Sequence, residues 1–569
     1  MLRKLLIVLF LVPLLAGCGR DSDTDAPETA AAPPTPETVA DPADHALFER
    51  IDADTAMIYA NLLTLPDEIS DMVWNMVGAL YEGQEEAMAE AADLLVGRSP
   101  LLAAMFRDIG TVRSAEDFEA RGLASNDLWA MHMISVYPVA HFRLVDGEAF
   151  EAWLNRLAEE AETEWPERVI DGERLIWSDM GGFGIALHND GEIATLGLVA
   201  DDDLLLRRIA NLDQPASAFQ PRDLQSFNQA RGLTAYGSGF FEFQRFFSRL
   251  LDDSDEQSAP LREAMDMHRA AADAACDREL EALFAQIPRL SFGMPGLSMQ
   301  EISMLMRIET HGDLGQRLAP IADTPVGLDV SNPRLLSAGL ALNLIAARDF
   351  GRELVGGWVE NPPQCALFEG VRENASDWQL ALNRPIPPFI TGMHGLRVDL
   401  ERFRMVGSAT GVEDVSGTMT LFMRNPQMLL GMAQMFSPEL AALELQAGGD
   451  PQALPAEMTE QFGGIPAWVA LGEQALGMAV GDGQKDRLQA SMQPGEADNA
   501  VFAYSINVPA YASMLDELAA IMASDSDDNG VELDFNFLGM MLDQQEESQV
   551  SIRLHEQGID IISTSLFRQ

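Results

Sequence analysis

Lysine is almost missing from this chain of 569 residues. Only Lys4 and Lys485 occur, so nearly all of the 37 Lys+Arg are arginine, and they face 89 Asp+Glu for a formal net charge of −52. A chain of that charge cannot bind nucleic acid by neutralising phosphates, and an anionic lipid surface repels it. Cysteine is scarce, at three residues, which excludes a disulfide-dense scaffold and a thiolate zinc cluster. The eight histidines, His45, His132, His141, His188, His268, His311, His394 and His555, are scattered, and none forms a His-Glu-x-x-His pair. No Walker loop and no nicotinamide fingerprint is present, and carboxylates are too abundant for any pair to single itself out as catalytic. What is there is ordinary globular composition, 47% hydrophobic and 22% charged. At this length it can bury a large core in roughly two to four domains.

The N-terminus says most about location. Basic Arg3 and Lys4 lead into an apolar run from Leu5 to Ala16, the charged and hydrophobic regions of an export signal. The run is shorter than the roughly 20 residues needed to span a bilayer. It ends in Leu15-Ala16-Gly17-Cys18, which resembles the lipobox of bacterial lipoproteins. That resemblance covers the first 18 residues and implies cleavage after Gly17 and lipidation of Cys18. In that family an Asp directly after the cysteine is the usual inner-membrane retention signal. Gly19 stands there instead, which implies the outer membrane, with the head facing the periplasm. Acyl chains contribute about 0.8 kcal/mol per buried methylene, and more than one is needed for stable attachment. From Gly19 to Asp44, Pro27, Pro33, Pro34, Pro36 and Pro42 alternate with Ala, Thr and acids, which predicts an extended tether.

After Cys18 only Cys276 and Cys365 remain, an even pair in an exported chain, and this predicts a disulfide. They lack Cys-x-x-Cys spacing, which argues against a redox role.

The head repeats one phrase: a short alternating apolar run, a polar or Pro/Gly break, then an amphipathic stretch. Ile302, Met304, Met306 and Ile308 alternate with polar residues as in a half-buried strand, with Leu305 as the exception. The phrase runs from Val136 to Leu144, then Asp146 as N-cap, then Phe150, Trp153, Leu154 and Leu157 at helical spacing. It recurs at Thr234–Leu251, Leu336–Leu354, Phe389–Phe403, Thr418–Phe436 and Val501–Leu518. Asn189-Asp190-Gly191 marks a hairpin, and Val550, Ile552 and Leu554 before Gln557-Gly558 mark another. The expected fold class is α+β: repeated strand–helix modules forming largely antiparallel sheets with helices on one face, in two related halves. Gly184–Ile209 resembles Trp468–Met492, Ala235-Tyr236 resembles Ala503-Tyr504, and Asp54-Thr55 resembles Asp323-Thr324, at offsets of roughly 268 to 284 residues. The expected division is residues 1–17 signal, 18–44 tether, 45–251 first half, 252–320 acidic loop, helical connector and strand–helix module, and 321–569 second half.

Candidate chemistry is sparse. Met131-His132-Met133 and Met265-Asp266-Met267-His268 offer soft ligands suited to Cu(I), although Met131 and Met133 equally share one face of a strand as core. Gly237-Ser238-Gly239 places its glycines one residue from the serine, whereas a nucleophile elbow needs them two away. Asp525, Asp527 and Asn529 with Gly530 match the opening of a calcium loop, but Asn536 stands where a bidentate Glu belongs. Methionine is the compositional excess, at 29. Met428, Met432 and Met435 share a helical face behind Met419 and Met423, and flexible thioethers suit an adaptable hydrophobic groove as well as a core.

These features predict a non-catalytic binding or scaffolding lipoprotein, anchored in the membrane through its N-terminal lipid, that holds a hydrophobic ligand or an envelope protein. It takes no nucleic acid, and no cofactor is expected beyond the weak calcium match at Asp525, Asp527 and Asn529. The chain looks like the large uncharacterised periplasmic lipoproteins of Gram-negative bacteria. A purely structural envelope interaction protein and a hydrolase with a non-contiguous site are the alternatives.

Overall fold

The computed structural model describes residues 46–568 apart from 82–88, 90, 91, 94–99, 180, 181, 268, 269, 271, 272, 407–410, 438, 439, 441, 442, 461–463 and 526–544. The fold class is α+β, and every strand pairing whose register is resolved is antiparallel. The chain forms two compact units. One runs to Leu305 and includes Cys365–Leu367, and the other comprises Met306–Gln364 and Phe368–Arg568.

The first unit contains β1 (Met57–Ala60), β2 (Trp129–Ile134), β3 (Tyr137–Arg143), β4 (Glu167–Ile170), β5 (Glu173–Asp179), β6 (Phe183–Asn189), β7 (Ile193–Ala200), β8 (Ser238–Glu242) and β9 (Arg289–Leu297). Their pairing order is β4-β5-β6-β7-β3-β2-β1-β8-β9. Local chemistry starts its helices as the sequence predicts. Asp146 accepts hydrogen bonds from the backbone N–H of Glu148 (2.8 Å) and Ala149 (3.0 Å), and Phe150, Trp153, Leu154 and Leu157 of the helix Gly147–Glu160 are buried. Gly191, at φ 97°, makes the turn between β6 and β7.

Helices cover both faces of this sheet, which corrects the expectation of a single helical layer. Gly147–Glu160 packs with Ile176, Leu187, Ala194 and Leu196 on one face. On the other face Ile209, from the helix Asp203–Ile209, lies over Gly197 of β7, where a Cβ would come within 2.6 Å of the Ile209 Cδ1. The reason is that both faces of the central strands are apolar, and each must be removed from water.

The acidic segment Asp252–Glu256 is more than a solvated loop. The guanidinium of buried Arg262 donates to the carbonyls of Asp252 (2.6 Å) and Asp255 (2.9 Å), so the loop wraps a cation. The disulfide Cys276–Cys365 is present, and both residues are fully buried within this unit.

The division between the units falls inside β10 (Glu301–Glu309). Its burial follows the sequence expectation at Ile302, which is buried, and departs from it beyond: Ser303 and Leu305 are buried while Met306 is exposed. Arg307 shares the Ser303 and Leu305 face because the carboxylate of Asp560 accepts two hydrogen bonds from it, at 2.6 and 2.7 Å.

The second unit contains β11 (Leu336–Ala341), β12 (Met393–Val406), β13 (Gly411–Met423), β14 (Gln452–Ala453), β15 (Ala467–Leu471), β16 (Ala475–Val480), β17 (Ala500–Asn507), β18 (Gln545–His555) and β19 (Gly558–Phe567). They pair in the order β14-β15-β16-β13-β12-β11-β17-β18-β19. The segment Phe389–Phe403 reverses the expected phrase, since a short helix, Pro388–Thr391, precedes the strand. The long helices Leu344–Glu360 and Glu369–Leu382 pack on each other, with Trp358 and Trp378 edge to face. One face of the sheet is built from small residues, including Ala341, Ala470, Ala475, Ala479 and Ala503, and is closed by Leu488, Met492, Val326 and Leu328.

Candidate functional site

Three places hold chemistry-bearing residues. The first is the buried pair His132 on β2 and His141 on β3, whose Nε2 atoms lie 2.9 Å apart. The hydrogen-bond chain fixes one set of tautomers. The Met133 carbonyl can only accept, so Nδ1 of His132 (3.3 Å) donates to it and Nε2 accepts from Nε2–H of His141. Nδ1 of His141 then accepts from the Thr195 hydroxyl (3.0 Å), which itself accepts from Arg50 (3.5 Å). Every ring nitrogen is satisfied with both imidazoles neutral. Burial pushes His132 down to about 3. Burial, the neighbouring His132 and the charges of Arg50 and Arg208 hold His141 well below the usual histidine range. The pair is closed to solvent and serves the packing of the sheet.

The second place is a cavity of about 410 Å³ in the same unit, where Ser135 turns between β2 and β3 at φ 55°. Asp52, Asp54, Asp213, Arg208 and Arg249 line it. Three of its carboxylates are paired: Arg208 holds Asp52 at 2.9 Å, Arg249 holds Asp54 at 2.6 Å, and Arg207, outside the lining, holds Asp213 at 2.8 Å, while Asp255 also lines the cavity.

The third is the other face of the second unit's sheet. Cross-strand register places Leu471, Leu476, Leu421, Leu396, Leu340, Phe502, Ile552 and Ile561 in one continuous row across eight strands. A second row runs beside it through Val469, Met478, Met419, Val398, Ala338, Tyr504 and Val550. On β15, β16 and β17 these residues alternate with the buried Ala470, Ala479 and Ala503, whereas β13 and β12 carry Thr418, Thr420, Arg397 and Asp399 on the opposite side. The helix Val508–Asp525 packs against β12, β17 and β18, and exposure along the two rows is uneven. Leu340 is 44% exposed and Met419 42%, and apart from Leu471 and Val469 the rest of both rows is half-buried. In the first unit an apolar row across the strands is covered. Its row Tyr59, Met131, Ala140, Leu196, Leu187 and Ile176 has Tyr59 at 7% and Met131 at 6%. Phe246 and the helix Gly147–Glu160 pack over it.

Past one end of β11, β12, β13 and β16 lies a cavity of about 340 Å³ lined by Asp323, Asn343, Thr391, His394, Arg424 and Gln474 among others. Burial and the charge of Arg424 lower the proton affinity of His394.

The methionines predicted to form a groove separate on inspection. Met419 lies in the open rows, Met423 is buried at the end of β13, and Met428 and Met435 of the helix Pro426–Phe436 are exposed while Met432 is half-buried. Ser238 is fully buried on β8, so its hydroxyl is not presented as a nucleophile would be. Met131 and Met133 are core residues; His268 lies outside the described residues. Asp525 ends the helix Val508–Asp525, and Asp527 and Asn529 lie outside the described residues, as do Cys18, the signal and the tether. Among the described residues no cluster of three or more His, Cys, Asp or Glu could hold a metal, and no helix is long and apolar enough to cross a membrane. The leucine row was missed at the sequence level because it joins residues as far apart as Leu340 and Ile561. No family model, no curated protein and no solved structure matches the chain.

Proposed function

We propose that this chain is a non-catalytic binding lipoprotein, lipidated at Cys18, anchored in the outer membrane and facing the periplasm, whose second unit holds a hydrophobic ligand on its open sheet face. The observation that carries the reading is the half-exposed leucine row from Leu476 to Leu340, next to which Met419 and Met478 stand in the second row. Soluble proteins rarely leave a contiguous apolar surface open without a use for it. Leucine and methionine side chains without polar partners suit aliphatic chains rather than sugars or nucleotides.

The two units are, in this reading, copies of one ancestral module. The pairing order β7-β3-β2-β1-β8-β9 in the first corresponds to β16-β13-β12-β11-β17-β18 in the second. Both place a helix directly over a strand glycine. Ile209 stands over Gly197, while a Cβ on Gly477 would come within 2.7 Å of Leu488 and 2.8 Å of Met492. One copy closed its apolar face, and the other kept it open for binding.

Native mass spectrometry of the full chain carrying Cys18→Ser, exported and purified without detergent, tests the proposal. The expected result is an adduct of lipid mass that disappears in the double variant Leu396→Asp, Leu421→Asp. A bare wild-type mass that stays bare after incubation with lipid vesicles would discard ligand holding and leave an envelope protein as the occupant. Metabolic labelling with palmitate, present in wild type and lost in Cys18→Ser, tests the anchor separately.

A further inference from the structure

The helix Pro426–Phe436 is out of keeping with the rest of the chain. Its 11 residues carry no charge, in a protein of which 22% of residues are charged. A helix that is apolar all round ordinarily lies in a core, yet the buried residues of this one are Pro426 and Leu430. Met428, Met432, Met435 and Phe436 fall at helical spacing on the side opposite Leu430. There Met428 is 36%, Met435 74% and Phe436 85% exposed. Gly431 stands on the same side, and among the described residues no neighbouring side chain comes within 4 Å of where its Cβ would be, which leaves a gap between Met428 and Met435.

Negative charge surrounds this face without entering it. From Asn425 to Gln484 the chain has seven Asp or Glu and no Lys, Arg or His. The side-chain amide of Gln434 donates to the carbonyls of Leu440 (3.1 Å) and Leu443 (3.3 Å), which brings Leu443 and the exposed Glu444 back beside the last turn of the helix. The open carbonyls of that turn carry partial negative charge as well. Arg424 lies at the other end, before the helix begins.

We infer that this face docks a basic amphipathic helix of a partner protein, whose apolar side covers Met428, Met435 and Phe436 and whose cations lie toward Glu444. Flexible thioethers accommodate differing apolar side chains, and an amphipathic helix laid on an apolar surface is a recurring mode of recognition. The acidic surroundings select a partner of opposite charge. A second copy of this chain is a poor occupant, because it brings another −52. An anionic lipid surface meets the same repulsion. The inference concerns the helix rather than the leucine rows and does not rest on the hydrophobic-ligand reading.

The test uses the full chain carrying Cys18→Ser and two fluorescein-labelled peptides. One is two repeats of Leu-Lys-Lys-Leu-Leu-Lys-Leu, which gathers leucine on one side of a helix. The other is a scrambled peptide of the same composition and charge with no such side. An acidic surface attracts both by charge, so the difference between them reads the apolar face. Fluorescence anisotropy at physiological salt is expected to give an affinity about tenfold higher for the amphipathic peptide. The triple variant Met428→Gln, Met435→Gln, Phe436→Gln should bring it down to the scrambled peptide and leave the latter unchanged, and Glu444→Gln should weaken the amphipathic peptide about twofold. All four positions are exposed, and circular dichroism reports whether the fold is kept; if the triple variant loses it, Phe436→Gln alone is read in its place. If wild type binds both peptides alike, or if the variant keeps the difference, the inference falls. Binding to vesicles of uncharged phosphatidylcholine that the variant abolishes would also overturn it and give this face to a lipid surface.

Discussion

Two neutral imidazoles sharing one proton-poor contact make His132 and His141 the residues most sensitive to acid. Each is depressed in the folded protein relative to an unfolded value near 6.5. Their contribution to stability is therefore fully present above about pH 6.5 and is lost as the pH falls, because the unfolded chain gains protons that the folded one refuses. The slope is at most about 1.4 kcal/mol per pH unit for each histidine. Urea denaturation between pH 7 and 5 should show stability of the first unit falling with acid, and the double variant His132→Gln, His141→Gln should flatten that dependence. An unchanged slope in the double variant would mean that other groups govern it. The sequence marked His132 only for its neighbours Met131 and Met133 and gave no reason to join it to His141, nine positions away; only the β2–β3 register brings the rings together.

At the scale of the element, glycines and caps carry the local logic. Gly477 sits in β16 because the helix Lys485–Ser491 and the following Met492 leave no room for a side chain. Gly477→Val should destabilise the second unit by about 1–3 kcal/mol through overpacking, measured as a lowered urea midpoint at unchanged m-value. The Asp146 cap predicts a smaller effect, about 1 kcal/mol for Asp146→Ala. The cap, the helical stripe from Phe150 to Leu157 and the Asn189-Asp190-Gly191 hairpin were all legible in the sequence, since each depends on neighbours within a few positions. The far half of β10 was not, because Arg307 there meets the carboxylate of Asp560, 253 positions away.

For the whole molecule, the disulfide draws Cys365–Leu367 into the first unit, where the Cys365 N–H donates to Glu279 at 3.1 Å. Cross-linking positions 89 apart in sequence should stabilise by about 3–5 kcal/mol in the chain-entropy account. Reduction, or the double variant Cys276→Ser, Cys365→Ser, should lower the thermal midpoint of the first unit by several degrees, measured by calorimetry. A midpoint that does not move would show that burial alone holds that segment.

By itself the sequence determined the α+β class, the antiparallel hairpins, the helix starts and the cysteine pair, because alternation, capping and oxidised cysteine parity are written in residue identity and short spacing. Tertiary structure alone decided which apolar faces are closed. Leu340 and Tyr59 read alike as strand residues, yet Leu340 is 44% exposed and Tyr59 7%, because what packs over a strand arrives from elsewhere in the chain. No local pattern encodes that.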